Sequence, residues 1–288
     1  SDARVVLVAH SMGGLAARYY LEVLDGGYWR DCRALLTFGT PYRGSLNALD
    51  YLANGYKKLG IRLSTLTNVM RSCPSVYELL PTYRAIQVNG EWKRLNECGA
   101  LPNIDQAYVR AAATFHEEIN SAVDRHRKEN AYLNEGYMIR PFVGVGQTTL
   151  QSARLSENTL ESSADLPDWV EDKAAHAGGD GTVPRASAVP LELSTTAVET
   201  YVGERHGSLQ RNEYVLDDFS ERLKTMQAGG LDEFRGPIVA APRRRTIDLQ
   251  VDELFLRGEP VTIRARMSDG ESLAEALIAA VDPASGPP

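Results

Sequence analysis

A short apolar run near the start of the chain leads through a serine into a stretch with helical periodicity. Residues 5–8 are four consecutive apolar residues, mostly β-branched, which predicts a buried strand. Between residues 15 and 24 apolar side chains recur every four positions, as on a helix, with one stripe formed by Leu15, Tyr19 and Val23. Ser11 lies between the two patterns, at the tip of the tight turn that must join them.

The strand, the turn and the helix together are typical of the nucleophile elbow of an α/β-hydrolase. The sharp turn strains the serine backbone, so small residues must flank it, and here they are Ala9 and Gly13. The usual pattern has glycine at both places, and alanine is the next smallest residue. The turn presents Ser11 Oγ above the sheet edge and aims the N–H groups of the helix N-terminus at the position where an oxyanion would form.

The segments that follow predict a parallel sheet interrupted by a helical insertion. Residues 33–38 are a second apolar run, and strand, helix and strand in succession are the signature of a βαβ unit. Residues 46–135 contain no clear strand but show helical faces, the longest of them over residues 106–128. We therefore expect a cap or lid insertion over about residues 45–135, between two strands of the sheet.

Beyond the insertion the strand pattern returns. Residues 137–146 include a further apolar run, and residues 147–178 predict a polar loop that contains six acidic residues. Residues 197–202 predict another strand, and residues 213–226 predict a closing helix. The sequence thus predicts an α/β fold, with a parallel sheet flanked by helices, over residues 1–228.

The last part of the chain changes to a period of two. Glycine and proline residues, with a run of three arginines, mark a linker over residues 229–245. After it, apolar and polar residues alternate around residues 247–251 and 261–267, and a third short strand is expected at residues 277–281. Residues 246–288 therefore predict the start of a β-rich, β-sandwich-like module.

Composition narrows the classes of function. The 288 residues carry a formal net charge of −7, so nothing indicates nucleic-acid binding. No apolar run is long enough to cross a bilayer. The three cysteines are too few for a disulfide framework; a bridge between Cys73 and Cys98 is one alternative, and free buried thiols are the favoured one.

A serine nucleophile needs a histidine base that is oriented by a carboxylate, and in α/β-hydrolases the chain order is serine, acid, histidine. Asp180 and His206 each lie just after a predicted strand, so both the order and the placement fit. Gly-Asp-Gly-Thr is also an ordinary turn sequence, which leaves a purely structural role for Asp180 open. Asp168 and Asp172 are the alternative acids, and both are expected to be solvated in the polar loop.

The remaining four histidines are weaker choices of base. His10 is next to the serine, where its side chain is expected to point away from the site and to pack. His116 and His126 lie on the long helix of the predicted cap, where most histidines are structural. His176 is too close in sequence to Asp180 to be its acceptor comfortably, although it could line the entrance to the site.

Two residues after the second strand are candidates for binding the substrate. Tyr42 and Arg43 lie in the turn-rich segment at residues 39–45, near the carboxyl edge of the predicted sheet, where they could line the mouth of a pocket. The alternative for the same two residues is a solvated turn without a binding role.

Six short motifs follow one another in order along the chain: Ala-His-Ser-Met-Gly-Gly at 9–14, Phe-Gly-Thr-Pro-Tyr-Arg-Gly-Ser at 38–45, Pro-Ser-Val-Tyr-Glu-Leu-Leu-Pro at 74–81, Val-Gly-Val-Gly-Gln at 143–147, Gly-Gly-Asp-Gly-Thr-Val-Pro at 178–184 and His-Gly-Ser-Leu at 206–209. Together they resemble the lecithin:cholesterol acyltransferase family of the α/β-hydrolase superfamily. The resemblance covers residues 3–226, and the order and spacing of the motifs make it specific.

The resemblance implies an enzyme in which Ser11, Asp180 and His206 form a catalytic triad and the Met12 N–H is one oxyanion donor. It also implies a lipid ester as acyl donor, encountered at a membrane or lipid surface, and a mobile lid within residues 45–75. Acyl transfer through a serine needs no metal ion and no organic cofactor.

The position of the elbow within the chain leads to a further expectation. Because the elbow begins within the first few residues, we expect a fragment of a longer protein, cut just before the nucleophile strand. The second oxyanion donor and several strands would then lie upstream, and other domains of the same chain would be its partners. The isolated fragment is expected to be inactive and poorly soluble, since losing one oxyanion donor costs on the order of 10²–10³ in rate.

Three functions fit these observations. The first is a lipid O-acyltransferase that works through an acyl-Ser11 intermediate, as the resemblance implies. The second is a lipase, phospholipase or esterase with the same triad, in which water takes the acyl group. The third is an idle interaction module of a multidomain protein, which the appended β-rich region at residues 246–288 motivates.

Overall fold

A computed structural model describes residues 4–58, 61–193, 200–228, 247–251 and 263–267. The chain divides into two compact units, residues 1–235 and 236–288. The strands are β1 (Val5–His10), β2 (Cys32–Phe38), β3 (Lys57–Lys58), β4 (Ile61–Arg62), β5 (Ile86–Val88), β6 (Glu91–Lys93), β7 (Met138–Gly144), β8 (Ser152–Ser156), β9 (Thr159–Ser163), β10 (Thr200–Val202), β11 (Ile247–Val251) and β12 (Ile263–Met267). The α-helices are α1 (Gly13–Glu22), α2 (Leu46–Asn54), α3 (Ser64–Ser72), α4 (Pro74–Tyr77), α5 (Gln106–His126), α6 (Asn130–Glu135), α7 (Lys173–His176) and α8 (Glu213–Ala228).

The main sheet of the first unit has the strand order β1-β2-β7-β10, and each neighbouring pair is parallel. Ala9 lies opposite Thr37, and Thr37 lies opposite Pro141, so the strands end together at one edge. The predicted parallel α/β architecture is confirmed. Of the strand predicted at residues 197–202, the structure describes residues 200–202, and the remainder lies outside the described residues.

Both faces of this sheet are covered, because alternate residues of β2 contact helices on opposite sides. Leu35 packs on one face with Leu21 of α1, while Ala34 and Leu36 pack on the other against Phe219 of α8. Phe38 and Phe142 stack with their ring centroids 4.7 Å apart and extend the α8 side of the core. The sheet is thereby held between α1 and α8.

The first strand differs from its prediction, because β1 is not fully buried. β1 is the outer strand of the described sheet and pairs only with β2 among the described strands. Val5 is 52% exposed and Val8 is 53% exposed, whereas β2, which has a partner on each side, is almost entirely buried. An apolar run predicts a strand, but burial on both faces and edges depends on neighbours that a local pattern does not specify.

The cap differs more strongly from its prediction as a wholly helical insertion. Residues 86–88 and 91–93 form a hairpin, and β8 and β9 extend it into a sheet with the order β6-β5-β8-β9. Residues 147–178, predicted as a polar loop, therefore supply two strands of the cap. These strands are three to five residues long and alternate poorly, so the sequence showed no clear period of two.

The cap has its own apolar core around α2. Leu46, Leu49 and Leu52 are fully buried there, in one apolar cluster with residues of α4, α5 and the cap sheet. By contrast, α3 and the hairpin before it expose several apolar side chains to solvent, namely Ile61, Leu63, Leu66 and Val69. The predicted lid segment, residues 45–75, thus contains a core helix followed by a solvent-facing part. All three cysteines are free thiols, as favoured from the sequence.

The second unit is described only by β11 and β12, which pair antiparallel with Ile247 opposite Met267. The predicted linker, residues 229–245, lies outside the described residues, and so does the strand predicted at residues 277–281. The division between the two units falls after residue 235, within the range predicted as a linker. Within the described ranges, none of the helices combines the length and the apolar character needed to span a bilayer.

Candidate active site

Ser11 occupies a strained turn between β1 and α1. Its φ angle is +53°, in the left-handed region that residues other than glycine rarely adopt. Two hydrogen bonds hold this backbone: the Ser11 N–H donates to the Phe38 carbonyl at 2.9 Å, and the Thr40 hydroxyl donates to the Ser11 carbonyl at 2.9 Å. The last residue of β2 and the segment after it therefore hold the strained backbone conformation in which the Ser11 side chain lies above the sheet edge.

The glycines after Ser11 differ in how much space they have. A Cβ atom on Gly14 would lie 2.1 Å from the Thr40 hydroxyl oxygen, so α1 can approach Thr40 only because this position has no side chain. A Cβ atom on Gly13 would meet nothing closer than the Ala9 Cβ, at 3.7 Å, which is an ordinary contact. Gly14, rather than Gly13, is the position that requires glycine for space.

Three side chains from distant parts of the chain meet at the carboxyl edge of the sheet. Nε2 of His206 lies 2.9 Å from Ser11 Oγ, and Nδ1 of the same ring lies 2.8 Å from Asp180 Oδ2. The Asp180 side chain is 2% exposed and the His206 side chain is 17% exposed. Because a carboxylate can only accept, Nδ1 carries the ring proton and Nε2 is free to accept the proton of Ser11.

The other carboxylate oxygen of Asp180 is held by the backbone that follows it. Oδ1 accepts from the N–H of Thr182 at 2.9 Å and from the N–H of Val183 at 2.7 Å. The carboxylate has therefore exchanged its water shell for three protein donors, which fixes its orientation toward His206. The His206 N–H also donates to the Asp180 carbonyl at 2.9 Å, so the two loops are joined through the backbone as well.

Two residues at the start of α2 bond to the loop that carries Asp180. The Ser45 hydroxyl, which caps α2 by accepting from the Asn47 N–H, donates to the Thr182 carbonyl at 2.5 Å. The Asn47 amide donates to the Gly181 carbonyl at 3.1 Å. The first turn of a cap helix thus positions the loop that carries Asp180, which nothing in the spacing of the sequence indicated.

Close approach of Asp180 and His206 depends on glycine at two strand ends. A Cβ atom on Gly39 would lie 2.7 Å from Asp180 Oδ2 and 2.9 Å from His206 Nδ1, and Gly39 also has a φ angle of +55°. A Cβ atom on Gly144 would lie 2.4 Å from the Asp180 Cβ. Larger residues at either position would occupy the space of the Asp180–His206 contact.

His10 was expected to point away from the site, and this expectation was wrong. Its Nε2–H donates to the His206 carbonyl at 2.9 Å, and the two imidazole rings lie with centroids 4.7 Å apart. Ser11 has a φ angle of +53° and is not in strand conformation, so the alternation of side chains along β1 does not extend from His10 to Ser11. His10 is therefore a support for the loop that carries His206.

The alternative acids have other partners. Asp168 is exposed and pairs with Lys173 at 3.6 Å. Asp172 caps α7 by accepting from the Ala175 N–H at 3.0 Å. Neither side chain has a contact with the histidine at the sheet edge among the hydrogen bonds of the described residues.

The other histidines lie elsewhere in the first unit. His116 is buried in the cap, where its Nε2–H donates to the Glu78 carbonyl at 2.7 Å and burial lowers the pKa of its ring. His126 bonds to the buried Glu22 carboxylate at 2.7 Å, and His176 is exposed at the end of α7. Both cap histidines thus have the structural contacts expected for them.

Met12 directly precedes the first residue of α1. The first N–H groups of a helix have no carbonyl one turn earlier to bond, and they lie at the positive end of the helix dipole. The Met12 backbone is already helical, with φ −53° and ψ −28°, so its N–H belongs to this set. Its amide is thus available to a ligand next to Ser11.

Tyr42 and Arg43 lie in the wall of a cavity behind α1 rather than in a solvated turn. Tyr42 is buried, and its hydroxyl donates to Thr37 Oγ1 at 2.9 Å. Burial raises the pKa of the Tyr42 phenol, so the ring is neutral. Arg43 is half-buried, and burial lowers the pKa of its guanidinium. Their predicted role in substrate binding stays a prediction.

No group of three or more histidine, cysteine, aspartate and glutamate side chains in the described part of the chain is arranged to hold a metal ion. The supporting residues that sequence reasoning missed are Thr40, Gly39, Ser45, Asn47 and His10. Only the Gly-Thr-Pro turn after β2 carried a signal, since a turn at a strand end next to the elbow is where support for the serine is expected.

Comparison with known proteins gives one family match. The family model described as lecithin:cholesterol acyltransferase matches residues 1–187. No curated protein matches the chain. The matched range contains Ser11, the segment after β2 and the loop that carries Asp180, but it ends before His206.

Solved structures support the fold. The crystal structure of the Tle4–Tli4 complex is similar with a TM-score of 0.55 and 15% sequence identity, over 80% of this chain and 61% of that one. The crystal structure of Bacillus licheniformis lipase BlEst2 in its mature form has a TM-score of 0.36 and 14% identity, over 76% of this chain and 65% of that one. The chain spans less than two thirds of the length of either. The first likeness supports the α/β-hydrolase fold.

Proposed function

The chain belongs to the lecithin:cholesterol acyltransferase family, and from this premise we propose that it transfers acyl groups from lipid esters through an acyl-Ser11 intermediate. The family and the fold make it an α/β-hydrolase, a class that acts on esters by acyl transfer or by hydrolysis. The observation that carries the proposal is the continuous contact from Ser11 through His206 to Asp180, at 2.9 and 2.8 Å. Each role below is part of the same proposal.

Acylation begins with proton transfer from the nucleophile. As Ser11 Oγ attacks the ester carbonyl, its proton moves to Nε2 of His206, which becomes an imidazolium. Asp180 stabilises that charge through Nδ1 and keeps the ring in the tautomer that can accept. The C–O bond to the alcohol then breaks, the alcohol leaves with the proton from Nε2, and the acyl group remains on Ser11.

In the tetrahedral intermediate the former carbonyl oxygen is negatively charged, and it needs hydrogen-bond donors beside it. The Met12 N–H is the donor that α1 offers there, with the positive end of the helix dipole behind it. A fixed donor of this kind is worth on the order of 10²–10³ in rate, because it does not have to reorient as charge develops.

Deacylation repeats the same proton path in reverse. A hydroxyl of the acceptor gives its proton to Nε2 of His206, attacks the acyl carbon, and displaces Ser11 Oγ, which recovers the proton. The proposed acceptor is an alcohol of a lipid, as in an O-acyltransferase. Water in the same position would make the protein a lipase or esterase, and the chemistry of the triad is identical.

Exposed apolar residues on one surface of the cap support the proposal that the substrate is a lipid. Four apolar side chains on β4, α3 and the residue between them are exposed: Ile61, Leu63, Leu66 and Val69. Grouped exposed apolar residues on a soluble domain are typical of surfaces that contact proteins, ligands or membranes. We propose that this part of the cap contacts the lipid surface from which the acyl donor is drawn.

The nucleophile is tested by covalent labelling of the full-length protein. A fluorophosphonate probe reacts with an activated serine, so it should label the wild type and fail to label Ser11→Ala. Ser156→Ala, which removes an exposed serine on β8, is the matched control and should label fully. An unlabelled wild type would support the idle interaction module instead.

The acceptor is tested by following the acyl chain. The full-length protein is incubated with a phospholipid labelled in its acyl chain, with and without a sterol or a diacylglycerol. Acyl transfer predicts a labelled steryl ester or triacylglycerol only when the acceptor is present. Free fatty acid as the sole product in both reactions would show that water is the acceptor and would overturn the transferase assignment.

A further inference from the structure

A cavity of about 190 Å³ lies between α1, α5 and residues 190–192. The helix α1 contributes Leu15 and Arg18 to its wall, and the segment after β2 contributes Tyr42 and Arg43. Leu15 is one helical turn beyond Ser11, so the cavity is close to the elbow along the chain but is lined by different residues. Leu191 is also among the lining residues and is exposed, so the cavity reaches the protein surface at this residue.

The charges around this cavity are unbalanced. Three arginines line it: Arg18 pairs with Glu192 and Arg94 pairs with Glu97, whereas Arg43 has no ion pair among the described residues. Arg18 uses one nitrogen, Nη1, to reach Glu192 at 2.5 Å. His116 adds no compensating negative charge, and burial lowers the pKa of its ring so that it is neutral near pH 7.

Two of these guanidinium groups are incompletely bonded. The Nε atoms of Arg18 and Arg43 are both buried, and neither has a hydrogen-bond partner within the described part of the chain. Arg18 is 2% exposed, so only a small part of its side chain is in contact with solvent. A buried donor that stays unbonded is costly, and the cost is greater for a charged group.

The backbone holds Arg43 in place beside the cavity. Its N–H donates to the Ser187 carbonyl at 3.2 Å, and its carbonyl accepts from the Thr82 N–H at 3.1 Å. The position of this arginine is therefore set by contacts on both sides, while its guanidinium keeps unused donors. Burial lowers the pKa of this group, because surroundings of low polarity disfavour its charged form.

We propose that this cavity is a phosphate-binding site in which Arg18 and Arg43 hold the anion. Arginine presents planar, paired donors that match phosphate oxygens, and a phosphate would satisfy the unbonded N–H groups and the excess positive charge together. Glu192 then serves to orient Arg18, while Arg94, which pairs with Glu97 at 3.6 Å, is a further cation at the rim.

The volume limits what can enter. Pockets that bind whole organic ligands usually measure roughly 300–1,000 Å³, which is larger than this cavity. A phosphate group fits, but a diacyl lipid does not, so a lipid could place only its head group here. The shared chemistry is a phosphate, either free or as the head group of a phospholipid. The site does not depend on the proposed acyl chemistry, because none of its anion ligands belongs to the triad.

Direct binding of inorganic phosphate tests the site. Calorimetric titration uses the full-length Ser11→Ala protein, in which no turnover can occur. We expect saturable binding of one phosphate, weakened about tenfold or more by Arg43→Gln, because each lost charge-assisted hydrogen bond is worth at least one factor of ten. Arg84→Gln removes an exposed arginine outside the cavity and should leave binding unchanged.

A second variant keeps the test valid if Arg43→Gln is poorly folded. Arg18→Lys keeps the charge beside Glu192 but lacks the Nε–H, so phosphate affinity should fall while circular dichroism stays the same. Absence of saturable binding, or equal weakening by Arg84→Gln, would overturn the proposal. The first result would mean that no site exists, and the second that phosphate is attracted only by general surface charge.

The source of the phosphate is distinguished in a parallel titration. Short-chain phosphatidylcholine and short-chain diacylglycerol, both below their aggregation limits, are titrated into the Ser11→Ala protein and into its Arg43→Gln and Arg84→Gln variants. If a lipid head group occupies the site, Arg43→Gln weakens phosphatidylcholine about tenfold and leaves diacylglycerol unchanged. If free phosphate is the ligand, Arg43→Gln weakens inorganic phosphate alone.

Discussion

Asp180 Oδ2 lies 2.8 Å from Nδ1 of His206, although 26 residues separate the two in the chain. The contact is supported from both sides, since Asp180 Oδ1 accepts from two backbone N–H groups and the His206 N–H donates to the Asp180 carbonyl. The geometry orients an imidazole whose other nitrogen faces Ser11. This relationship leads directly to the first prediction.

Replacing Asp180 by asparagine should abolish most of the activity without unfolding the protein. In Asp180→Asn the amide oxygen could still accept from the two backbone N–H groups, but an amide favours the wrong histidine tautomer, and kcat should fall by on the order of 10⁴. Initial rates with a soluble ester measure this. Asp168→Asn changes the exposed alternative acid and should retain wild-type kcat; a similar loss in both variants would contradict the assignment of Asp180.

Gly39 should tolerate no side chain. In Gly39→Ala the new methyl group would lie within 3 Å of both Asp180 Oδ2 and His206 Nδ1, and the left-handed backbone adds strain of about 1–2 kcal/mol. We expect a lower melting temperature and a kcat reduced by at least two orders of magnitude, which thermal unfolding and esterase kinetics measure.

Gly207→Ala is the matched control for this prediction. A Cβ atom at Gly207 would have no neighbour within 4 Å, although the residue is adjacent to the same histidine. It should therefore behave like the wild type. Equal activity of the two alanine variants would show that space at the Asp180–His206 contact does not limit catalysis.

The two glycines that begin α1 should differ in the same way. Gly14→Ala would force a methyl group against Thr40, which holds the strained Ser11 carbonyl, and should lower the free energy of unfolding by about 1–3 kcal/mol. Gly13→Ala creates only an ordinary contact with Ala9 and should cost much less. Urea denaturation of both variants measures the difference, and a larger loss for Gly13→Ala would refute it.

His10→Phe should lower kcat while leaving KM nearly unchanged. Phenylalanine keeps the ring packing against His206 but removes the N–H that donates to its carbonyl, at a cost of about 1 kcal/mol. If His10 positions the base, the loss falls on proton transfer and hence on kcat. A loss of stability with normal kcat would show that its role is structural alone.

Acid should destabilise the protein in part through His116. Burial lowers the pKa of this histidine in the folded state from its ordinary value of 6.5, so the unfolded chain binds the proton more readily. The resulting stability is present above about pH 6.5 and is lost as the pH falls.

Urea denaturation near pH 8 and near pH 5.5 measures this effect. The wild type should lose more stability between the two than His116→Gln does, whereas His176→Gln, at an exposed histidine, should match the wild type. The same loss in His116→Gln would assign the effect to other groups. Burial also raises the pKa of Glu78, which affects stability in the opposite direction as the pH falls.

The local pattern of apolar residues was sufficient to predict those strands and helices whose residues are buried in a regular way along their whole length. The strand β2 and the helix α5 were predicted within a few residues, because β2 is buried on both faces and α5 presents one long apolar stripe. The cap strands β5, β6, β8 and β9 were missed, because their short, mixed faces produce no period of two. Their stability comes from pairing between segments far apart in the chain, as between Ile86 and Ala153.

The sequence by itself determined the fold class of the molecule and predicted which of its groups react. Serine at a strand–helix turn, followed in order by an acid and a histidine at strand ends, limits the chemistry, because parallel strands bring their carboxyl ends to one edge. The tertiary structure alone decided what supports those groups. Thr40, Gly39 and His10 act through close contacts of backbone and side chain across the sheet edge, and such contacts leave no periodicity in the chain. The unbonded arginines behind α1 were likewise visible only once packing had removed them from water.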